Sequence, residues 1–138
     1  MRLICVGYND RRIFGNGWYG LEKSPRGILY RASTPYAELQ VSDVGKLDIG
    51  MMITARPEHC GEPLRVTLQS GKLSDSASLS EMHIVLETNG WVIREGTLLV
   101  GDDRIIRILT QNPWSPDRLY RNGDVRSLGI LISSIRIG

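Results

Sequence analysis

The segment Leu64-Arg65-Val66-Thr67-Leu68-Gln69 indicates the fold class, because apolar and polar side chains alternate at every position. Successive side chains of a β-strand point to opposite faces, so this pattern gives one apolar and one polar face. The same alternation recurs in segments 36–41, 47–53 and 82–86, and Arg2–Val6 reads as a further strand near a sheet edge. No window carries the spacing of a sustained amphipathic helix. We therefore predict an all-β chain of half-buried antiparallel strands.

Turn residues separate these strands at short intervals. Gly15-Asn16-Gly17, Gly101-Asp102-Asp103 and Asn122-Gly123-Asp124 all combine residues that favour turns. Asn89-Gly90 is the strongest hairpin signal, since Asn-Gly suits a type I′ turn. Strands at this spacing are typical of a sandwich or barrel. Because the chain shows no linker or low-complexity tract, we expect residues 1–138 to form a single β-sandwich domain.

The last strand contains a change of phase. Apolar side chains alternate from 128 to 132, but Ile135 and Ile137 are out of phase with them. One extra residue near Ser133-Ser134 would restore the facing, so we predict a β-bulge there. The single candidate for a helical turn is Ser115–Tyr120, with serine as the cap and proline at the first helical position.

Length and charge restrict the class of function. The chain has 138 residues and a formal net charge of +2, from 17 Lys+Arg and 15 Asp+Glu. The two signs are interspersed and no basic run occurs, so we expect no nucleic-acid partner. The apolar run near the first residue is too short for a signal sequence, and no apolar stretch reaches the length of a membrane span. We expect a cytoplasmic protein.

Residues that could carry catalysis or bind a metal are few. Of the two histidines, His83 lies on the solvent side of a predicted strand, and His59-Cys60 has no further ligands at a suitable spacing. We therefore expect no metal site and no cofactor. The carboxylates of Asp102-Asp103 would point to opposite faces of a strand. We expect no catalytic activity; the alternative is a carboxylate-dependent hydrolase that uses Glu22 and Asp124.

Two polar clusters adjoin apolar strands toward the two ends of the sequence. They are Gly17-Trp18-Tyr19-Gly20-Leu21-Glu22 and Gly123-Asp124-Val125-Arg126-Ser127-Leu128-Gly129. We expect Glu22 to pair with Arg31 of the following strand, and Asp124 with Arg126. Paired in this way, the four side chains would hold the two ends of the fold together, since a buried charge without a partner is costly.

These segments resemble a β-sandwich domain common in bacteria, which occurs beside glycosyltransferases and methyltransferases of cell-surface polysaccharide assembly. The likeness follows the order Gly-Trp-x-x-x-Glu, then an arginine on the next strand, then Asp-x-Arg-x-Leu-Gly. The pattern positions are Trp18, Glu22, Arg31, Asp124, Arg126 and Gly129. The stretch 112–116 is similar to that family's proline-bearing segment, whereas Ala32 stands where the family often has tryptophan. The resemblance implies a non-catalytic, jelly-roll-like domain linked to glycan biosynthesis.

Aromatic residues in or beside turns are the candidate ligand platform. The apolar face of a sugar ring stacks on an aromatic ring, so Trp18, Tyr19 and Trp114 are the predicted ligand-binding residues. In the other interpretation, each tryptophan, Trp91 included, closes one end of the sandwich. We expect a glycan ligand or a partner enzyme that uses nucleotide-sugars; the alternative is a protein-interaction or oligomerisation module.

Overall fold

Ten β-strands and one short helix make up the part of the chain that the computed structural model describes, residues 2–54, 62–71, 79–87 and 90–138. In chain order these elements are β1 (Arg2–Cys5), β2 (Glu22–Lys23), β3 (Leu29–Ala32), β4 (Tyr36–Gln40), β5 (Gly45–Thr54), β6 (Leu64–Ser70), β7 (Ser80–Leu86), β8 (Val92–Val100), β9 (Ile105–Thr110), α1 (Pro116–Tyr120) and β10 (Leu131–Ile137). The all-β prediction is confirmed.

The strands form two antiparallel sheets. The six-stranded sheet has the order β2-β3-β10-β5-β8, with β1 also paired to β10. The four-stranded sheet has the order β4-β9-β6-β7. The sheets share one connected cluster of buried apolar side chains, so the predicted antiparallel sandwich is confirmed.

The alternation read from the sequence accounts for this core. The odd-numbered residues 47–53 of β5 and the even-numbered residues 64–68 of β6 are all buried. Their neighbours Arg65 and Asp48 are exposed. Each fully buried aliphatic side chain stabilises the fold by roughly 1.5–3 kcal/mol, so a slip of one residue in either strand would be strongly disfavoured.

Strand β10 contains the predicted bulge. Its register against β5 shifts between Ile132 and Ser134. Ahead of the shift β10 pairs with β3, and after it β10 pairs with β1, the predicted edge strand. Because of the extra residue, Ile132, Ile135 and Ile137 are all buried although their sequence spacing is out of phase.

Two local predictions need correction. The strands on either side of Asn89-Gly90 belong to different sheets, so their connection crosses the sandwich and does not close a hairpin. Asn89 itself lies outside the described residues, and an Asn-Gly pair favours a tight turn without specifying the strand's partner. The last strand begins at Leu131, later than expected, because Leu128 forms an isolated bridge with Trp114.

The predicted helical turn is α1. Ser115 precedes it in an extended conformation, with φ −132° and ψ 132°, and Pro116 lies in the first turn. The Ser115 hydroxyl donates to the carbonyl oxygen of Asp124 at 3.2 Å, so it ties the helix to the loop that follows and does not cap it. Over the described ranges, the structure has no helix long and apolar enough to cross a membrane.

Candidate functional site

Several predicted site residues meet at one cleft, beside the end of the six-stranded sheet where β3 and β10 pair. The cleft has a volume of about 370 Å³. We name it the latch cleft, and its defining side chains are Glu22, Tyr30, Trp114, Asn122, Asp124 and Arg126. Segments separated by about a hundred residues of sequence therefore form one concave site.

Arg126 holds the latch cleft together. Its Nε and Nη2 donate to the two carboxylate oxygens of Asp124 at 2.9 and 2.7 Å. Its Nη1 and Nη2 donate to the two oxygens of Glu22, both at 3.2 Å. The ring of Tyr19 lies 5.0 Å from the guanidinium carbon, within the range of a cation–π contact. The predicted Asp124–Arg126 pair is thus present, and Glu22 joins it on the same guanidinium.

The predicted pair of Glu22 with Arg31 is wrong. Glu22 on β2 lies directly opposite Tyr30 on β3, and residues opposite each other in a sheet share a face. Arg31 follows Tyr30 and therefore points to the other face. There its Nε donates to Asp10 at 3.1 Å, and its guanidinium lies 5.3 Å from the ring of Phe14.

The hydrogen bonds of Arg126 influence the protonation of the cleft. They lower the pKa of Asp124 below its usual value. The bonds that Arg126 donates to Asp124 and, with a smaller effect, to Glu22 raise the pKa of Arg126. Asp124 is therefore a carboxylate and Arg126 a cation at neutral pH, and the two carboxylates outnumber the single guanidinium.

Trp114 is a core residue with one edge at the latch cleft. It is 7% exposed, and its Nε1 donates to the carbonyl oxygen of Gly129 at 2.8 Å. Its backbone exchanges two hydrogen bonds with that of Leu128, at 3.0 and 2.7 Å. Trp114 therefore closes the core and also supplies an apolar wall to the cleft.

Trp18 lies away from the latch cleft. Its Nε1 donates to the carbonyl oxygen of Glu38 at 2.8 Å, and its ring meets that of Phe14 edge-on at 4.7 Å between centroids. Its backbone bridges to Ser33. The structure thus places Tyr19 beneath Arg126 but uses the adjacent Trp18 to pack the loop against β4.

Gly129 of the terminal motif has a packing role. A Cβ at this position would lie 2.5 Å from the hydroxyl oxygen of Ser33 and closer still to that of Thr110. The Gly129 amide donates to the Ser33 carbonyl oxygen at 2.9 Å. Only glycine allows the chain to approach Ser33, which follows β3, and Thr110 of β9 this closely.

Sequence reasoning did not select Tyr30 and Asn122 as site residues. Tyr30 reaches the cleft because β2 pairs with β3 in this register, which no single segment reveals. The Asn122 side chain accepts from the Asp124 amide at 3.0 Å, a local turn bond that orients the loop. The Asn-Gly-Asp sequence was a signal for this turn, but it did not indicate which cleft the turn would border.

The remaining chemical candidates lie elsewhere. His83 is on the solvent side, as predicted, and its Nε2 lies 3.3 Å from Glu81. His59-Cys60 lies outside the described residues. Asp103 pairs with Arg107 at 2.6 Å. Within the described ranges, no three or more His, Cys, Asp or Glu side chains are grouped so that they could hold a metal ion.

No protein-family model matches the chain, and no curated protein matches it significantly. The function of the protein is therefore inferred from the geometry of the latch cleft. A concave site with an apolar wall and several converging polar groups suits a small ligand that has both apolar and hydrogen-bonding surface.

Proposed function

We propose that this protein binds a carbohydrate in the latch cleft and does not catalyse a reaction on it. One observation carries the proposal: polar and aromatic side chains from distant segments converge on a single cleft. The polar members are Glu22, Asn122, Asp124 and Arg126, and the aromatic members are Tyr30 and Trp114.

These groups suit the surface of a sugar. A ring hydroxyl is both donor and acceptor. The two oxygens of Glu22 and Oδ2 of Asp124 each accept one bond from the Arg126 side chain and retain acceptor capacity for such a hydroxyl. The apolar C–H face of the sugar would rest against the ring of Tyr30 and the exposed edge of Trp114. Because two carboxylates face one guanidinium, the cleft favours a neutral or cationic sugar over a phosphorylated one.

A binding role fits the chemistry better than hydrolysis. A glycosidase of the usual kind needs one carboxyl group that stays protonated by virtue of a raised pKa, beside a second that is ionised. Here the pKa of Asp124 is lowered, and both carboxylates bond to the same guanidinium. This supports binding without catalysis. From the motif resemblance noted above, we further propose a cytoplasmic accessory domain of bacterial surface-polysaccharide assembly.

The strand order supports a jelly-roll-like arrangement as the finer description of the sandwich. From β3 onward the chain places β3-β10-β5-β8 in one sheet and β4-β9-β6-β7 in the other. Eight antiparallel strands divided equally between two sheets are typical of a jelly roll. Strands β1 and β2 extend the first of these sheets.

A second candidate function is protein interaction or oligomerisation through β8. This strand lies at the edge of the six-stranded sheet, and Ile93 and Leu99 on one face of it are 62% and 54% exposed. An edge strand presents backbone groups that can pair with another chain. Sedimentation across a range of protein concentrations tests this idea, and a monomer at every concentration would argue against self-association.

The carbohydrate proposal is tested by titrating the protein with neutral monosaccharides, disaccharides and amino sugars while following amide chemical shifts. We expect saturable shifts confined to the residues of the latch cleft. Asp124→Asn removes a charge-assisted acceptor and should weaken binding by about tenfold or more. Asp102→Asn, an exposed carboxylate in a turn outside the cleft, is the matched control and should bind normally. No saturable shift with any of these sugars would contradict the proposal.

A further inference from the structure

A second cleft lies between β1, the end of β4 and the segment that connects β1 to β2. Its volume is about 540 Å³. The connecting segment is held along β4, since the Gln40 amide donates to the Ile13 carbonyl oxygen at 2.7 Å. We name it the basic cleft, and its polar side chains are Arg2, Asn9, Arg12, Gln40 and Ser42.

The two arginines of the basic cleft are available to a ligand. No Asp or Glu lines this cleft, and neither Arg2 nor Arg12 is in an ion pair with any residue that the structure describes. Of the nearby carboxylates, Asp10 is bonded to Arg31 and Glu38 accepts from Asn16, while the exposed Asp43, next to Ser42, forms no described ion pair with either arginine. Both guanidinium groups can therefore turn their donors toward an anion.

The rest of the basic cleft is ordered and partly apolar. Its floor is formed by Ile4, Ile13 and Val41, all buried. The Asn9 side chain is fixed at the rim, because it accepts from the Cys5 amide at 2.7 Å and donates to the Leu3 carbonyl oxygen at 2.9 Å. A ligand would meet cationic groups at the mouth and an apolar surface beneath them.

We infer that the basic cleft is a binding site for an organic phosphate, with the phosphate held by Arg2 and Arg12 and the organic group resting on the apolar floor. A phosphate presents several terminal oxygens, which two planar guanidinium groups can contact together. The latch cleft, in which carboxylates outnumber the guanidinium, would repel such a group. This site does not depend on carbohydrate binding at the latch cleft.

Binding of phenyl phosphate to the full chain, measured by calorimetry and by amide chemical shifts, tests the inference. We expect saturable binding, shifts at residues 2–4, 12–13 and 40–42, and weaker binding as salt is raised. Inorganic phosphate should bind more weakly, because it makes no contact with the apolar floor. Benzoate should also bind more weakly, because it presents fewer anionic oxygens.

Variants distinguish binding of the phosphate in the basic cleft from nonspecific attraction of an anion to a positively charged surface. Arg2→Ala and Arg12→Ala should each weaken phenyl phosphate binding by about tenfold or more, and Arg12→Lys should weaken it less. Arg26→Ala, an exposed arginine in the turn between β2 and β3, is the matched control and should leave binding unchanged. Thermal unfolding of each variant confirms that it folds.

Three results would overturn the inference. They are the absence of saturable phenyl phosphate binding, equal binding by Arg12→Ala and the unmodified chain, and shifts located outside the basic cleft. Asp124→Asn distinguishes the two proposals, since it should weaken carbohydrate binding and leave phosphate binding intact. A failure of one proposal therefore leaves the other open to its own test.

Discussion

The latch cleft and the basic cleft differ in what their charged groups already bind. In the latch cleft, one guanidinium holds two carboxylates, and the aromatic wall is part of the core. In the basic cleft, two guanidinium groups stand at the surface with no carboxylate in the lining. The first cleft is therefore tied to the stability of the fold, whereas the second can lose its charges at little structural cost.

The largest loss of stability is expected for Trp114→Ala. Removing this core side chain should lower the free energy of unfolding by about 3–5 kcal/mol. Trp18→Ala, which removes a partly buried tryptophan outside the latch cleft, should cost less. Urea unfolding measures the free energy of unfolding of both variants. An equal loss would mean that the buried Trp114 contributes no more to stability than the partly buried Trp18.

Gly129→Ala should have the next largest effect. The new methyl group would overlap the hydroxyl oxygens of Ser33 and Thr110, and such overpacking costs about 1–3 kcal/mol. Gly20→Ala is the control, because a Cβ there meets no atom within 4 Å. Chemical unfolding should show a clear loss for the first variant and almost none for the second. Comparable values would show that β3 and β9 can move apart easily.

Arginine substitutions compare the two clefts directly. Arg126→Ala removes the guanidinium that two carboxylates share and should lower the free energy of unfolding by about 1–2 kcal/mol, less than for a fully buried pair because the side chains are about 30% exposed. Arg12→Ala removes an exposed side chain and should change it by less than about 0.5 kcal/mol. Thermal and urea unfolding measure both values. A similar loss of stability for the two variants would mean that Arg126 of the latch cleft stabilises the fold no more than Arg12 of the basic cleft.

The smallest expected effect is the dependence of stability on pH. The hydrogen bonds from the Arg126 side chain lower the pKa of Asp124 in the folded chain below its usual value, so the folded state favours its ionised form. Its contribution is fully present above about pH 5 and is lost as pH falls through the folded pKa. Asp124→Asn should therefore flatten the acid limb of the stability curve. An unchanged acid limb would show that Arg126 does not stabilise the Asp124 carboxylate.

The features that the sequence predicted correctly depend on neighbours along the chain. The strand faces, the bulge near Ser133-Ser134 and the Asp124–Arg126 pair all follow from spacings of a few residues. The pair of Glu22 with Arg31 failed because the register between β2 and β3 determines which side chains share a face. The crossing between sheets after β7 was missed for a similar reason, since a turn sequence does not specify the partner of a strand.

Neither cleft could be predicted from such short spacings along the chain. The latch cleft needed Tyr30 placed opposite Glu22, and the basic cleft combines β1, β4 and the segment after β1. The sequence showed that Arg2 and Arg12 carry charge, but it could not show that neither arginine is in an ion pair within the described part of the fold. The tertiary structure decides which charged side chains pair with each other and therefore which of them can still bind a ligand.

The bulge in β10 makes the effect of a single deletion depend on where in the sandwich it falls. If Ser133 were lost, Ser134 would follow Ile132 directly and keep its place opposite Met52, so Ile135 and Ile137 would still face the core in a strand without a bulge. Strand β5 has no such spare residue, since it pairs with β8 in unbroken register from Gly45 to Ile53. The loss of one residue from the middle of β5 would turn all side chains on one side of the deletion to the opposite face. An aligned homologue lacking the codon of Ser133 should therefore keep the apolar pattern of its final strand.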